Sequence, residues 1–129
     1  MRKVNQTLFG KQGNCLAACI ASALELDIID VPNFITSGNW KKAVNKWLNK
    51  HYNMGLYFTD KIDYDENYEL FQSRPIFLVM GFAYADQCSY HCCLGRRHKK
   101  SVLIVHDPDP KRGGLKSHSC YAFFVHIVK

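Results

Sequence analysis

The fold expected of this 129-residue chain is α+β, and three features point to it. The stretch from Leu16 to Leu24 carries one hydroxyl and one thiol among apolar side chains, so a helix there is apolar all round and belongs at the centre of a domain. A second stretch, beginning at Trp40, repeats apolar residues at helical spacing with lysines and asparagines on the opposite face. From Pro75 onward the pattern turns to β, with short apolar segments separated by polar or Gly/Pro-rich turns. Helices first and antiparallel strands afterwards give segregated layers rather than alternating βα units.

Residues 2–8 read as a short strand or an extended arm leading into the central helix. Asn14 stands where a cap belongs, its side-chain oxygen able to accept from first-turn N–H groups. Pro32 marks an irregular turn after the helix. Ser37-Gly38-Asn39 then caps a helix that places Trp40, Ala43, Val44, Trp47 and Leu48 on one face. The two tryptophans, seven residues apart, read as core packing rather than a stacking platform. Residues 55–59 form a strand, and the acidic, tyrosine-rich 60–69 a surface loop or short helix. Further strands are expected over 76–84, 89–95, 101–106 and 121–128. The run Asp107-Pro108-Asp109-Pro110-Lys111-Arg112-Gly113-Gly114 reads as a loop. With 47% hydrophobic residues and no internal repeat, residues 1–129 read as a single domain.

Composition narrows the setting. The first six residues lack the apolar core of a secretory signal, and the longest apolar run, from Pro75 to Ala85, is too short to cross a bilayer. The expected compartment is the cytoplasm, where six cysteines stay reduced and available for chemistry. The formal net charge is +6, diffuse except for Arg96-Arg97-His98-Lys99-Lys100. That cluster reads first as the solvated tip of a hairpin and second as a docking patch for an acidic partner; nucleic acid is not the preferred ligand.

The chemistry centres on Cys15. At the first turn of a buried helix it sits beside the positive end of the helix dipole, which favours the nucleophilic thiolate. The competing reading is a small core residue, since free cysteine is among the most buried types. His91 and Asp107 tip the balance. A basic turn between them lets two strands pair as a hairpin, and the sixteen-residue separation brings both to the same end of the sheet. An imidazole there can take the thiol proton and return it to a leaving group, while the carboxylate fixes its tautomer. His106 should face away from that group and read as structural.

This order resembles the papain-like cysteine peptidases, in particular a small bacterial and phage branch similar to the bacteriocin-leader peptidases. The pattern that carries the resemblance is Gln6 upstream, Gly13-Asn14-Cys15 with Ala18-Cys19 behind it, then His91, then Val105-His106-Asp107-Pro108 and the tail Pro110-Lys111-Arg112-Gly113-Gly114-Leu115. The resemblance implies a papain-like domain in which an N-terminal buried helix bearing the cysteine packs on a C-terminal antiparallel sheet bearing His and Asp. It implies a hydrolase or acyltransferase acting on a peptide, isopeptide or related amide bond, without cofactor. Cys15 would be the nucleophile, His91 the base and Asp107 the orienting group. It further implies a glutamine donor to the oxyanion: Gln6 is preferred, with Gln12 and Asn14 as alternatives. For a phage-encoded protein the setting would be the host cytoplasm and the substrate a peptide or protein.

Two rival functions come from other classes. One is a non-catalytic binder on the same fold, engaging a host protein or a nucleotide through Arg96, Arg97, Lys99 and Lys100. Asn14 joins that set as a residue for contact with a substrate or partner. The other is a zinc module built from Cys15, Cys19, His91 and one of Cys92 or Cys93. Adjacent strand cysteines point to opposite faces, so only one could reach such a site, and no metal is assigned.

Overall fold

The computed structural model describes residues 1–9, 13–82, 90–111 and 113–127. Its architecture is α+β: helices and a five-stranded antiparallel sheet. The first helix, α1 (Cys15–Leu24), is buried from Cys15 through Ser22. Its one hydroxyl is satisfied inside the core, since Ser22 Oγ donates to the Ala18 carbonyl at 2.8 Å. Side chains such as Leu16 and Ile20, taken fully from water, each contribute about 1.5–3 kcal/mol. The helix stops at Glu25, whose left-handed backbone (φ 58°) returns its N–H to Ala21.

Helix α2 (Trp40–Tyr52) forms as its pattern predicts. Asn39 caps it by accepting from Lys42 N, and Val44 and Leu48 are fully buried. Trp47 packs edge-on to Phe34 and Trp40 edge-on to Phe58, so the tryptophans serve the core. A short helix, α3 (Tyr68–Ser73), follows the acidic segment.

The strands are β1 (Met54–Thr59), β2 (Ile76–Phe82), β3 (Tyr90–His98), β4 (Ser101–His106) and β5 (Cys120–His126), in the order β1-β5-β2-β3-β4. Leu78, Met80, Cys92, Leu94, Ala122 and Phe124 share a core with α1 and α2. Phe77, Val79, Cys93 and Phe123 form a second core with Phe71 and Leu115. The period of two that separates these sets is the ordinary alternation of a strand. Part of the expected 76–84 and 89–95 strands lies outside the described residues, as do Gly10, Lys11, Gln12 and Arg112. Among the described residues no helix is long and apolar enough to cross a membrane.

The N-terminal arm, residues 1–9, belongs to no strand. Arg2 N donates to the Ser22 carbonyl, Val4 N to Ser22 Oγ, and Gln6 N to the Pro108 carbonyl at 2.9 Å. His106 closes the arm from the other side, its Nε2 donating to the Val4 carbonyl at 2.7 Å. That bond gives His106 the structural role expected of it.

Two local expectations are corrected. Asn14 makes no side-chain cap on α1. Its Oδ1 accepts from Thr7 N and Leu8 N, and its Nδ2 donates to Thr7 Oγ1, all at 2.9 Å. The arm's N–H groups at 7 and 8 have no strand partner, and the amide meets that need. The basic cluster is also not all loop. Strand β3 extends through Arg96, Arg97 and His98, so the tip is Lys99-Lys100, with Lys99 at φ 55°.

Candidate active site

The β3–β4 hairpin does what the sixteen-residue spacing requires. Its register runs from His98↔Ser101 back to Leu94↔His106, with an irregularity between Leu94 and Gly95. Asp107, one residue beyond β4, therefore returns to the end of the sheet where β3 begins. His91 Nε2 lies 2.6 Å from Asp107 Oδ1. A carboxylate only accepts, so Nε2 carries the proton and Nδ1 is the basic nitrogen of the neutral ring.

Asp107 is itself fixed. Its Oδ1 also accepts from Asp109 N at 2.9 Å, and its Oδ2 from Gly114 N at 2.8 Å. Burial pushes its carboxyl up, but the His91 bond and these two backbone donors outweigh that and hold it below its ordinary value. The glycine at 114 has φ +94°, a conformation that suits a residue without Cβ.

Across β2, Gly81 pairs with His91 in register, and a Cβ at that position would collide with the Ser117 carbonyl. The glycine thus lets the 117–118 segment close against β2, the strand next to the one that carries the imidazole.

Cys15 begins α1 at 6% exposure, and His91, the second residue of β3, is at 3%. Both border one cavity of about 80 Å³, whose other walls are Leu16, Ile35, Trp40, Met80, Tyr90 and Cys92. Burial pulls the His91 imidazole down, but the bond to Asp107 and the hydrogen bond and charge of Cys15 raise it to about 9. A wider groove of about 590 Å³ lies on the other flank, lined by Lys3, His106, Asp107, Asp109, Gly113 and Gly114 among others. It touches Asp107 but neither Cys15 nor His91, which both border the smaller cavity.

Gln6 is buried at 7% exposure and lies beside the start of α1. Its Nε2 donates to the Leu8 carbonyl at 2.9 Å, the same oxygen that accepts from Asn14 N. Its Oε1 is buried without a partner among the described residues. Gln12, the alternative donor, lies outside the described residues. The Asn14 amide is turned to the arm.

The basic residues sit at the other end of β3. Seven residues separate His98 from His91, roughly 23 Å of extended strand. Arg97 is also engaged there: its guanidinium lies 5.7 Å from the Tyr64 ring and 5.5 Å from Phe71, and its Nε donates to Lys99 O.

The zinc set drawn from sequence is not assembled. Cys19 donates its thiol to the Cys92 carbonyl, inside the α1 core. Among the described residues the grouping that forms is His91, Cys93 and Asp107, with ligand atoms all within 4.8 Å of one another. The place of Cys93 beside Asp107 is the feature that sequence reasoning missed. The usable signal was its i, i+2 spacing from His91, which sets both on one face of a strand. Burial, and then the negative charge of Asp107, drive the Cys93 thiol far above its ordinary range, so it is a neutral S–H in this setting.

Comparison of the chain with protein-family models, with curated proteins and with solved structures finds no match.

Proposed function

We propose that the protein is a cysteine-nucleophile hydrolase or acyltransferase of the papain-like kind, acting on a peptide, isopeptide or related amide bond. The observation that carries the reading is the 2.6 Å contact between His91 Nε2 and Asp107 Oδ1, which leaves Nδ1 as the nitrogen to serve Cys15. The Cys15 proton passes to Nδ1, and the sulfur attacks the substrate carbonyl carbon. One N–H of the Gln6 amide is spent on Leu8, and an amide has two, so the second is available to the oxyanion together with the Cys15 backbone N–H. The imidazolium then gives its proton to the leaving amine as the C–N bond breaks, leaving a thioester on Cys15. Water or an acceptor amine resolves the thioester by the reverse sequence.

The cavity beside Cys15 suggests the substrate's shape. About 80 Å³ is roughly half the volume of a cavity that admits benzene, so it accepts a short aliphatic side chain and rejects an aromatic ring. The test is to offer activated esters and amides of aliphatic and aromatic residues and to look for an acyl adduct by mass spectrometry. An adduct on Cys15 that is absent in His91→Ala supports the reading. Equal slow alkylation of every thiol in both proteins, with no adduct, defeats it and leaves a binder on this fold.

A further inference from the structure

We infer that His91, Cys93 and Asp107 form a site for a soft divalent cation such as zinc or cadmium, and that occupancy of this site switches off the thiol chemistry proposed above. The site stands on the geometry of the cluster alone, whereas its inhibitory consequence rests on the proposed function. The donor set is one imidazole nitrogen, one thiol sulfur and one carboxylate oxygen, the mixture that zinc-type ions select over magnesium or calcium. A point equidistant from three atoms so spaced lies within about 2.8 Å of each, against zinc bond lengths of roughly 2.0–2.3 Å. The required adjustment is below an ångström per ligand.

The surroundings supply what such a site needs. Asp107 keeps Asp109 N and Gly114 N as donors, which orient the carboxylate from outside the ligand sphere. Of the three ligands Asp107 lines the open groove, so solvent reaches the cluster from the carboxylate side, and a water would be the fourth ligand. On binding, the cation takes the place of the proton between His91 Nε2 and Asp107 Oδ1 and of the proton on Cys93. The Cys93 proton leaves to solvent, the single ring proton of the neutral imidazole passes from Nε2 to Nδ1, and no electron moves. That ring proton is then held on Nδ1, so the imidazole can no longer accept from Cys15 while the metal stays. Cys15 itself is not a ligand, which separates this site from simple capture of a nucleophilic thiol by metal.

The experiment is a cadmium titration of the full chain followed by its thiolate-to-metal ultraviolet band and by cadmium NMR. Wild-type protein and Cys15→Ser should each bind one equivalent, with a chemical shift reporting one sulfur among nitrogen and oxygen ligands. Cys93→Ala and Cys93→Ser should bind at least tenfold more weakly. In wild type, saturating cadmium should slow iodoacetamide labelling of Cys15, and in the Cys93 variants it should not. A band that vanishes in Cys15→Ser, or a shift reporting two sulfurs in wild type, overturns the site. These readouts need no hydrolysis, so a protein without acyl-transfer activity that still binds cadmium through Cys93 would sink the proposed function and keep the site. Should the Cys93 variants fail to fold, the NMR shift of Cys15→Ser decides alone, since it contains no altered ligand.

Discussion

The two ends of the β3–β4 hairpin are built from the same pair of strands and differ in almost every physical respect. At one end His91 is buried, paired with Asp107 at 2.6 Å, and that carboxylate is held by two backbone donors. At the other, Lys99 and Lys100 turn in water, and the one guanidinium with fixed partners, Arg97, lies on the rings of Tyr64 and Phe71. The imidazole and carboxylate at the first end hold each other in one fixed geometry, which low dielectric strengthens. Charges at the second are many and mostly solvated, and water screens them beyond about 8–10 Å. With roughly 23 Å of strand between the ends, the turn exerts little pull on the imidazole.

Several changes would break or sharpen that contrast. The largest effect belongs to Cys15→Ser, which should lower acyl transfer by about a thousandfold or more while the thermal midpoint moves little. Retained turnover would transfer the function away from the buried end. His91→Ala should be comparable in rate and should also erase the preferential labelling of Cys15 over the other thiols. Asp107→Asn should cost roughly a hundredfold less in rate than His91→Ala, the usual gap between an orienting acid and the base it orients. It should still cost on the order of 1–3 kcal/mol of stability, because an amide nitrogen would face a donor it now accepts from.

The pH dependence follows from the raised imidazole. With His91 lifted from 6.5 to about 9, its contribution to stability is complete below pH 6.5 and is lost as pH rises through about 9. The gap in thermal midpoint between wild type and His91→Ala should therefore narrow across that window. Hydrolysis should fall on an alkaline limb near 9, when the ring no longer has a proton for the leaving group. Alkylation of Cys15, which needs no such proton, should not fall there. A stability gap that widens with pH would invert the assignment. The smallest effects belong to the turn. Replacing Arg96, Lys99 and Lys100 with Ser should change stability by less than about 0.5 kcal/mol and leave hydrolysis of a small ester intact. Arg97→Ser should stand apart, costing about 0.5–1 kcal/mol through lost stacking on Tyr64 and Phe71.

The same contrast marks what could be read from residues alone. The buried helix, the amphipathic α2 and the hairpin that brings His91 to Asp107 follow from periodicity and spacing, which act over a few residues and one turn. Asn14 was misread because a helix cap is a local rule, while the arm at Thr7 and Leu8 competes for the same oxygen. The reach of β3 through two arginines was missed because pairing with β2 and β4 overrides the low apolar content there. Cys93 enters from sequence only as one member of a zinc set with Cys15 and Cys19; its contact with Asp107 goes unread because that carboxylate comes from another strand's end, behind an irregular register.

The arm has a consequence in time. Gln6 is held by Pro108 and Val4 by His106, the latter 102 residues further along the chain, so the arm waits for partners made much later. Ninety-two residues separate Cys15 from Asp107. At a synthesis rate of roughly 5–20 residues per second, Cys15 precedes Asp107 by about 5 to 20 s. Contacts of such long sequence separation form late, after loop closure has been paid in entropy. A nascent chain therefore carries Cys15 without its His91 and Asp107 neighbours through its most exposed period, and the cluster dates from the moment when the arm meets the end of β4.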